Sequence, residues 1–203
     1  MRVFALLVTG LLSACAANVP TDYKVDPQKP LGLVVGSITF ESSMGSYRVV
    51  VVPVKDGPVA PEEVKVLKAG DAQWTPFTRF YDDDLKGKGD TFAVEMPAGN
   101  YRIRAWHVVQ GAKRSSSTNP IDIPFTVEPG KAIYVGAFNW DSHWVNITLR
   151  DQSSRDIPIL EKRFPGLKAA PIAMGIAPGT VLEKLGGDYR YRVDMPIFVP
   201  VAR

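Results

Sequence analysis

The chain has 203 residues, of which 45% are hydrophobic and 22% are charged, and its formal net charge is +3. These values are typical of one globular domain with an extension, and they exclude a chain that is disordered throughout. The weak positive charge, with no stripe of Lys and Arg, argues against a nucleic-acid-binding protein.

The beginning of the chain has the pattern of an export leader. Arg2 supplies a positive charge, and residues 3–12 form an apolar run that is too short to cross a bilayer as a helix. Two small residues follow the run, and then Cys15, which is the only cysteine in the chain. Because a lone thiol cannot build a disulfide framework, it needs another role in an exported protein. We therefore assign residues 1–14 to a signal peptide.

The sequence Leu12-Ser13-Ala14-Cys15 resembles the lipobox of bacterial lipoproteins. The resemblance implies that the leader is cut before the cysteine, that the sulfur of Cys15 is diacylated and that the new amino group is acylated. Several acyl chains together give a lasting membrane anchor. No Asp follows the cysteine, which implies attachment to the outer membrane of a Gram-negative bacterium. The alternative is an ordinary secretory leader with a cysteine at its cleavage site.

A polar stretch and two strands follow the leader. Residues 15–31 are predicted to form a lipidated tether, because this stretch contains three prolines and has no apolar period. Strands are predicted at residues 32–40 and 46–54. Gly36 in the first strand indicates a bulge or a close approach of two backbones. The second strand contains four consecutive valines, which predicts burial on both faces at the centre of a sheet.

The next part of the chain is ambiguous. Residues 55–70 fit either a helical turn or an edge strand, because prolines and glycine interrupt them. Residues 73–80 fit a strand that is interrupted by Pro76, and residues 81–90 are predicted to form a charged loop.

Four later segments alternate between apolar and polar residues, with Pro and Gly in the turns that separate them. They are residues 91–96, 101–105, 121–127 and 145–149. A period of two indicates half-buried strands and favours antiparallel pairing. In this interpretation Trp106 lies on the same polar face as Arg104.

The period changes after these strands. Residues 153–167 fit a short helix, with Asp156 as its N-cap and Pro158 in its first turn. The remainder, residues 168–203, is predicted to be an irregular C-terminal extension in which residues 189–195 and 197–201 fit late strands.

The segment PAGNYRIRAW followed by PFTVEPGKAIYVGAF resembles secreted β-sandwiches of the transthyretin-like or carboxypeptidase-regulatory type. It also looks like a set of uncharacterised bacterial lipoproteins. The resemblance covers roughly residues 32–167 and implies a fold rather than an activity. We predict a mainly β protein, an antiparallel β-sandwich that is Ig-like or transthyretin-like, with a short helix after the last core strand.

Two groups of residues are weak candidates for a metal site. The acidic run at residues 82–84, with Asp90 nearby, has the carboxylates that Ca²⁺ prefers but lacks the spacing of an EF-hand loop. His107 and His143 are the only histidines, and no HExxH or Cys-His spacing supports a zinc site. A solvated loop and two surface imidazoles are the alternatives. We therefore predict no catalytic residues, no bound metal and no cofactor.

Aromatic residues are the candidates for ligand binding, because exposed rings often contact sugars or proteins. The candidates are Trp106, Trp140, Trp144, Tyr189 and Arg190. The alternative is that the rings close the ends of the sandwich.

Three functional hypotheses remain. The first is a non-enzymatic, lipid-anchored envelope protein that binds or supports another envelope protein, peptidoglycan or another glycan. The second is a module that recognises glycan or peptide through the exposed aromatic residues. The third is a metal-assisted hydrolase that uses His107, His143 and the loop at residues 82–84.

Overall fold

A computed structural model describes residues 18–41, 45–69, 81–141 and 146–193. Within these residues, two β-sheets pack face to face around one apolar core. The prediction of a mainly β fold with two layers is confirmed. The predicted strands at residues 73–80 and 197–201 lie outside the described residues, as do the leader and Cys15.

The strands, in chain order, are β1 (Leu31–Phe40), β2 (Ser46–Pro53), β3 (Lys65–Ala69), β4 (Tyr81–Asp82), β5 (Gly87–Pro97), β6 (Gly99–Gln110), β7 (Lys113–Ser117), β8 (Ile123–Val127), β9 (Ala132–Trp140), β10 (Ile147–Arg150), β11 (Ile172–Met174), β12 (Val181–Leu182) and β13 (Tyr189–Val193). The helices are α1 (Ser153–Arg163) and two 3₁₀ helices, Pro61–Glu63 and Pro165–Ala169. No helix in this part of the chain has both the length and the apolar sequence that crossing a bilayer requires.

The larger sheet has the order β12-β10-β9-β1-β5-β4, with β11 also paired to β9. The smaller sheet has the order β13-β7-β6-β2-β3, with β8 also paired to β6. The inner faces meet through large rings, as where Phe40 of β1 stacks on Tyr47 of β2 at 4.1 Å between ring centroids. The candidate site lies on the outer face of the smaller sheet.

The predicted antiparallel pairing is confirmed for most strands, and the centre of the larger sheet is the exception. β1 pairs in parallel with β9, and β9 pairs in parallel with β11. Every residue of β1 after Leu31 is buried, so both faces of this strand are covered. Burial on both faces is the usual setting of parallel strands. Here α1 covers the outer face, where Ser37 of β1 contacts Asp156 of the helix.

The four valines of β2 occupy the predicted central position, between β3 and β6. Their burial on both faces is not observed. Val49 and Val51 are buried in the core, whereas Val50 and Val52 are only half-buried on the outer face.

The predicted tether does not extend through residues 18–30. The Asn18 side chain accepts a hydrogen bond from the Ala93 N–H of β5 at 2.9 Å. The Val19 N–H donates to the Ala93 carbonyl at 2.8 Å. Tyr23 and Val25 pack against the core. This segment therefore covers part of the edge of β5 that, among the described residues, pairs with β4 only at Lys88 and Gly87.

The predicted helix forms, but its first turn precedes the predicted N-cap, and Asp156 does not cap it. α1 begins at Ser153, and the Asp151 side chain accepts a hydrogen bond from the Ser153 N–H at 3.0 Å. Pro158 consequently lies inside the helix, beyond its first turn. Asp156 lies within α1 and is fully buried.

The C-terminal extension is less irregular than predicted. β11 and β12 join the larger sheet, and β13 joins the smaller one along β7. The segment between β12 and β13 crosses from one sheet to the other, and Leu185 within it is buried.

Candidate functional site

Trp106 does not lie on the outer face of its strand, and the reason is a β-bulge. In the register of β2 with β6, Val50 lies opposite Ala105 while Val51 lies opposite Ile103, so Arg104 is an extra residue. An extra residue reverses the face of every side chain after it. Trp106 is therefore 1% exposed, and its indole N–H donates to the Leu185 carbonyl at 2.8 Å.

Trp140 is also buried, with 0% exposure, and its ring meets Tyr47 edge-on at 5.5 Å. Neither Trp106 nor Trp140 offers a ring face to a sugar. Trp144 lies outside the described residues. The two described tryptophans are thus not exposed ligand-binding residues, and their burial agrees with the alternative, in which the rings close the sandwich.

The same bulge places His107 on the outer face of the smaller sheet. The register aligns a row of residues across β3, β2, β6, β7 and β13, and directly opposed residues project to the same face. The row is Lys68, Arg48, His107, Ser116 and Arg190. A second row, two residues along each strand, is Ser46, Val109, Arg114 and Arg192. Four strands thus bring four arginines and the histidine to one face.

These side chains form a groove of about 550 Å³, which we call the cationic groove. Its lining residues are Arg48, His107, Val109, Arg114, Ser115, Ser116, Arg190, Tyr191 and Arg192. No Asp or Glu is among the described residues that line it. The groove presents the His107 ring, the Ser116 hydroxyl and the guanidinium groups of Arg48 and Arg190 to a ligand, whereas the Ser115 hydroxyl is buried.

The positive charge of the cationic groove affects the pKa of His107. The pKa of His107 is lowered, first because the surrounding groups displace water from the ring and then because Arg48 and Arg114 repel a further positive charge. The imidazole is therefore neutral at pH 7. His143, the proposed partner in a metal site, lies outside the described residues, so the pairing of the two histidines stays a prediction.

Two arginines of the groove differ from other arginines on the same sheet in their partners. Arg48 donates to the neutral Ser46 hydroxyl at 2.9 Å. By contrast, Arg102 and Arg104 of β6 both bind the Asp122 carboxylate, at 2.6 and 3.0 Å. Within the described residues, no carboxylate pairs with Arg48 or Arg190, so their charge is available to a ligand.

One of the predicted ligand-binding residues, Arg190, lines the groove. Its neighbour Tyr189 is 42% exposed and projects from the opposite face of the strand. Both are on β13, which is the edge strand of the smaller sheet.

The acidic loop that was a candidate Ca²⁺ site forms ion pairs with Arg163 of α1. The Asp82 carboxylate accepts the N–H groups of Asp84 and Leu85, both at 3.0 Å, which holds the turn. Arg163 pairs with Asp82 and, at 2.8 Å, with Asp90. Burial alone would raise the pKa of Asp82, but the Leu85 N–H and Arg163 outweigh it, and the pKa is lowered. Within the described residues, no group of three or more His, Cys, Asp or Glu side chains is arranged to hold a metal.

A buried polar cluster joins α1 to the larger sheet. The Asp156 carboxylate accepts hydrogen bonds from the Ser37 hydroxyl at 2.7 Å and from the Tyr134 hydroxyl at 2.8 Å, and it pairs with Arg155 at 2.7 Å. Burial and the adjacent carboxylate raise the pKa of Tyr134. Each oxygen of the carboxylate thus has a partner, and the cluster fixes the helix on the sheet.

The cationic groove was not predicted from the sequence. The alternation of Arg190 with Arg192, and of Arg114 with Ser116, places charge on one face of each strand. That these faces coincide depends on which strands pair and in what register, and on the bulge at Arg104.

Neither a protein-family model nor a curated protein matches the chain. Among solved structures, a leucine-rich repeat protein from Bacteroides thetaiotaomicron VPI-5482 has 21% sequence identity and a TM-score of 0.33. The match covers 57% of this chain and 14% of that protein. A TM-score this low carries no argument about fold or function, and the site stands on its own geometry.

Proposed function

We propose that the chain is a lipid-anchored cell-envelope protein of the outer membrane of a Gram-negative bacterium. Its β-sandwich body binds or supports another envelope component and performs no catalysis. The observation that carries this proposal is the lipobox-like end of the leader, in which Cys15 is the only cysteine of the chain. Acylation gives that single sulfur a role in an exported protein that has no second thiol to pair with.

The anchor is tested by expressing the full chain in Gram-negative cells that are fed a labelled fatty acid. Label on the chain, a mass of the N-terminal peptide that matches an acylated Cys15, and recovery in the outer-membrane fraction are expected. The Cys15→Ser variant should carry no label and should leave the membrane. A labelled Cys15→Ser variant, or an unmodified Cys15 in the wild-type chain, contradicts the proposal.

The binding role is tested by capturing partners from membranes with the acylated chain as bait. A specific envelope component that is recovered with the wild-type chain supports the role. Recovery of the bait alone, after crosslinking in intact cells, contradicts it.

A second candidate is a module that recognises glycan or peptide through an exposed surface. The observation that favours it is the edge strand β13, where Arg190 lines the cationic groove and Tyr189 is 42% exposed on the opposite face of the same strand. In this proposal the buried Trp106 and Trp140 have no part in recognition.

A further inference from the structure

We infer that the cationic groove is a binding site for an anionic oligosaccharide, a ligand with several sulfate, phosphate or carboxylate groups along its length. This inference rests on the proposed binding role of the body and names the chemistry of its ligand. The ligand lies across β2, β6, β7 and β13 on the outer face of the smaller sheet.

The first argument is the spread of the charges. Arg48 and Arg190 stand on strands that are three strand spacings apart, or about 14 Å. Arg114 and Arg192 form a second row beside them. A single sulfate or phosphate contacts only one part of such an array. A chain of sugars that carries an anionic group on successive rings contacts both rows at once.

The second argument is the type of cation. Arg presents a planar fork of donors that matches carboxylate, phosphate and sulfate oxygens with two parallel hydrogen bonds. The Ser116 hydroxyl lies between His107 and Arg190 in the first row and can donate or accept.

The third argument is the position of His107 in the middle of the row. It faces Arg48 from β2 and Ser116 and Arg114 from β7, with Arg190 and Arg192 beyond on β13. No acidic group faces it among the described residues that line the groove. A bound anion therefore supplies the negative charge that lets the imidazole take up a proton, and ligand binding is coupled to proton uptake.

The experiment uses the full chain with Cys15→Ser, which cannot be acylated at that residue, and calorimetric titration with a fully sulfated hexasaccharide. The variant R48Q/R190Q removes two groove arginines, and the matched variant R102Q/R104Q removes two arginines of the same sheet that bind Asp122. Both variants lose two positive charges. We expect R48Q/R190Q to raise the Kd about a hundredfold and R102Q/R104Q to change it by less than about threefold.

The charge of the sulfated hexasaccharide does not change between pH 5 and 8, so the pH dependence of its binding reports on the protein. We expect binding to tighten several-fold as the pH falls from 8 to 5, and His107→Gln to flatten that dependence. Inorganic sulfate should bind at least tenfold more weakly than the hexasaccharide.

An equal loss of binding in the two double variants overturns the inference, because it shows attraction by net charge alone. Binding that is absent, or that is tighter for anionic lipid vesicles or for a single-stranded oligonucleotide, overturns it as well. Unchanged urea midpoints of both variants show that the loss is local. Failure here leaves the acylation of Cys15 untouched, whereas failure of the anchor leaves groove binding measurable.

Discussion

Asp156 is a charged residue that the body keeps fully out of water. Burying an isolated carboxylate is very unfavourable, and here the cost is offset by hydroxyls of Ser37 and Tyr134 and by the guanidinium of Arg155. Because these partners come from β1, β9 and α1, one side chain holds three elements together. The sequence pattern predicts an N-cap at Asp156, because a carboxylate near the start of a helix often accepts hydrogen bonds from its first N–H groups.

Substitution of Asp156 should test this role. Asp156→Ala leaves two hydroxyls and a guanidinium without their acceptor, and we expect it to lower the free energy of unfolding by about 3–5 kcal/mol. Asp156→Asn keeps the shape and should cost about 1–3 kcal/mol. Urea unfolding followed by circular dichroism measures both.

Asp122→Asn is the control, because Asp122 also pairs with arginines but is exposed. A surface ion pair contributes little, so we expect less than about 1 kcal/mol of change. Equal effects of Asp122→Asn and Asp156→Ala would mean that burial of the carboxylate is not what makes the cluster stabilising.

At the scale of elements, the parallel pair of β1 and β9 depends on a glycine. The register of this pair shifts between Val35 and Ser37, at Gly36. A Cβ on Gly36 would lie 2.5 Å from the Gly136 carbonyl oxygen and 2.6 Å from the Phe92 ring. The backbones therefore approach more closely than any side chain allows.

We expect Gly36→Ala to lower the free energy of unfolding by about 1–3 kcal/mol, because the added methyl forces the two backbones apart. Gly87→Ala in β5 is the matched control, since the nearest atom to its Cβ is 3.9 Å away. That substitution should be neutral or should stabilise by about 0.4–1 kcal/mol through the unfolded chain. Chemical denaturation measures the stability of both variants. Equal midpoints would mean that a Cβ at position 36 does not force the backbones apart.

Local sequence patterns predicted where strands and helices form better than they predicted which face of a strand is buried or which strands pair. Gly36 inside an apolar run indicated a bulge or a close backbone approach, and both are present. Trp106 was assigned to the wrong face because nothing in residues 101–106 marks Arg104 as an inserted residue. The groove could not be predicted for the same reason, since it depends on how β2, β6, β7 and β13 align.

At the scale of the whole molecule, the C-terminal segment ties the two sheets together. Its N–H at Leu185 donates to the Ile147 carbonyl of β10 in the larger sheet at 2.9 Å. The Leu185 carbonyl accepts a hydrogen bond from the indole N–H of Trp106, on β6 of the smaller sheet, at 2.8 Å. β13 then supplies two of the arginines of the groove. The extension is thus part of the body and part of the candidate site.

Two truncations should test this. A chain that ends at Thr180 loses β12, β13 and Leu185, whereas a chain that ends at Val193 keeps them. We expect the shorter chain to be less stable by at least about 1–3 kcal/mol, because the Trp106 N–H loses its acceptor. Urea midpoints and the red shift of tryptophan emission measure the difference. Identical behaviour of the two chains would mean that residues 181–193 are an appendage.

The hydrogen bonds of Asn18 and Val19 with Ala93 limit how far the β-sandwich can lie from Cys15. Only two residues separate Cys15 from Asn18, and the three Cα–Cα steps between them span at most about 11 Å in an extended chain. If fatty acid is attached at Cys15, the body cannot stand off at a distance. The β-sandwich then lies at the bilayer surface, with the edge of β5 close to the membrane. Any partner must bind it there.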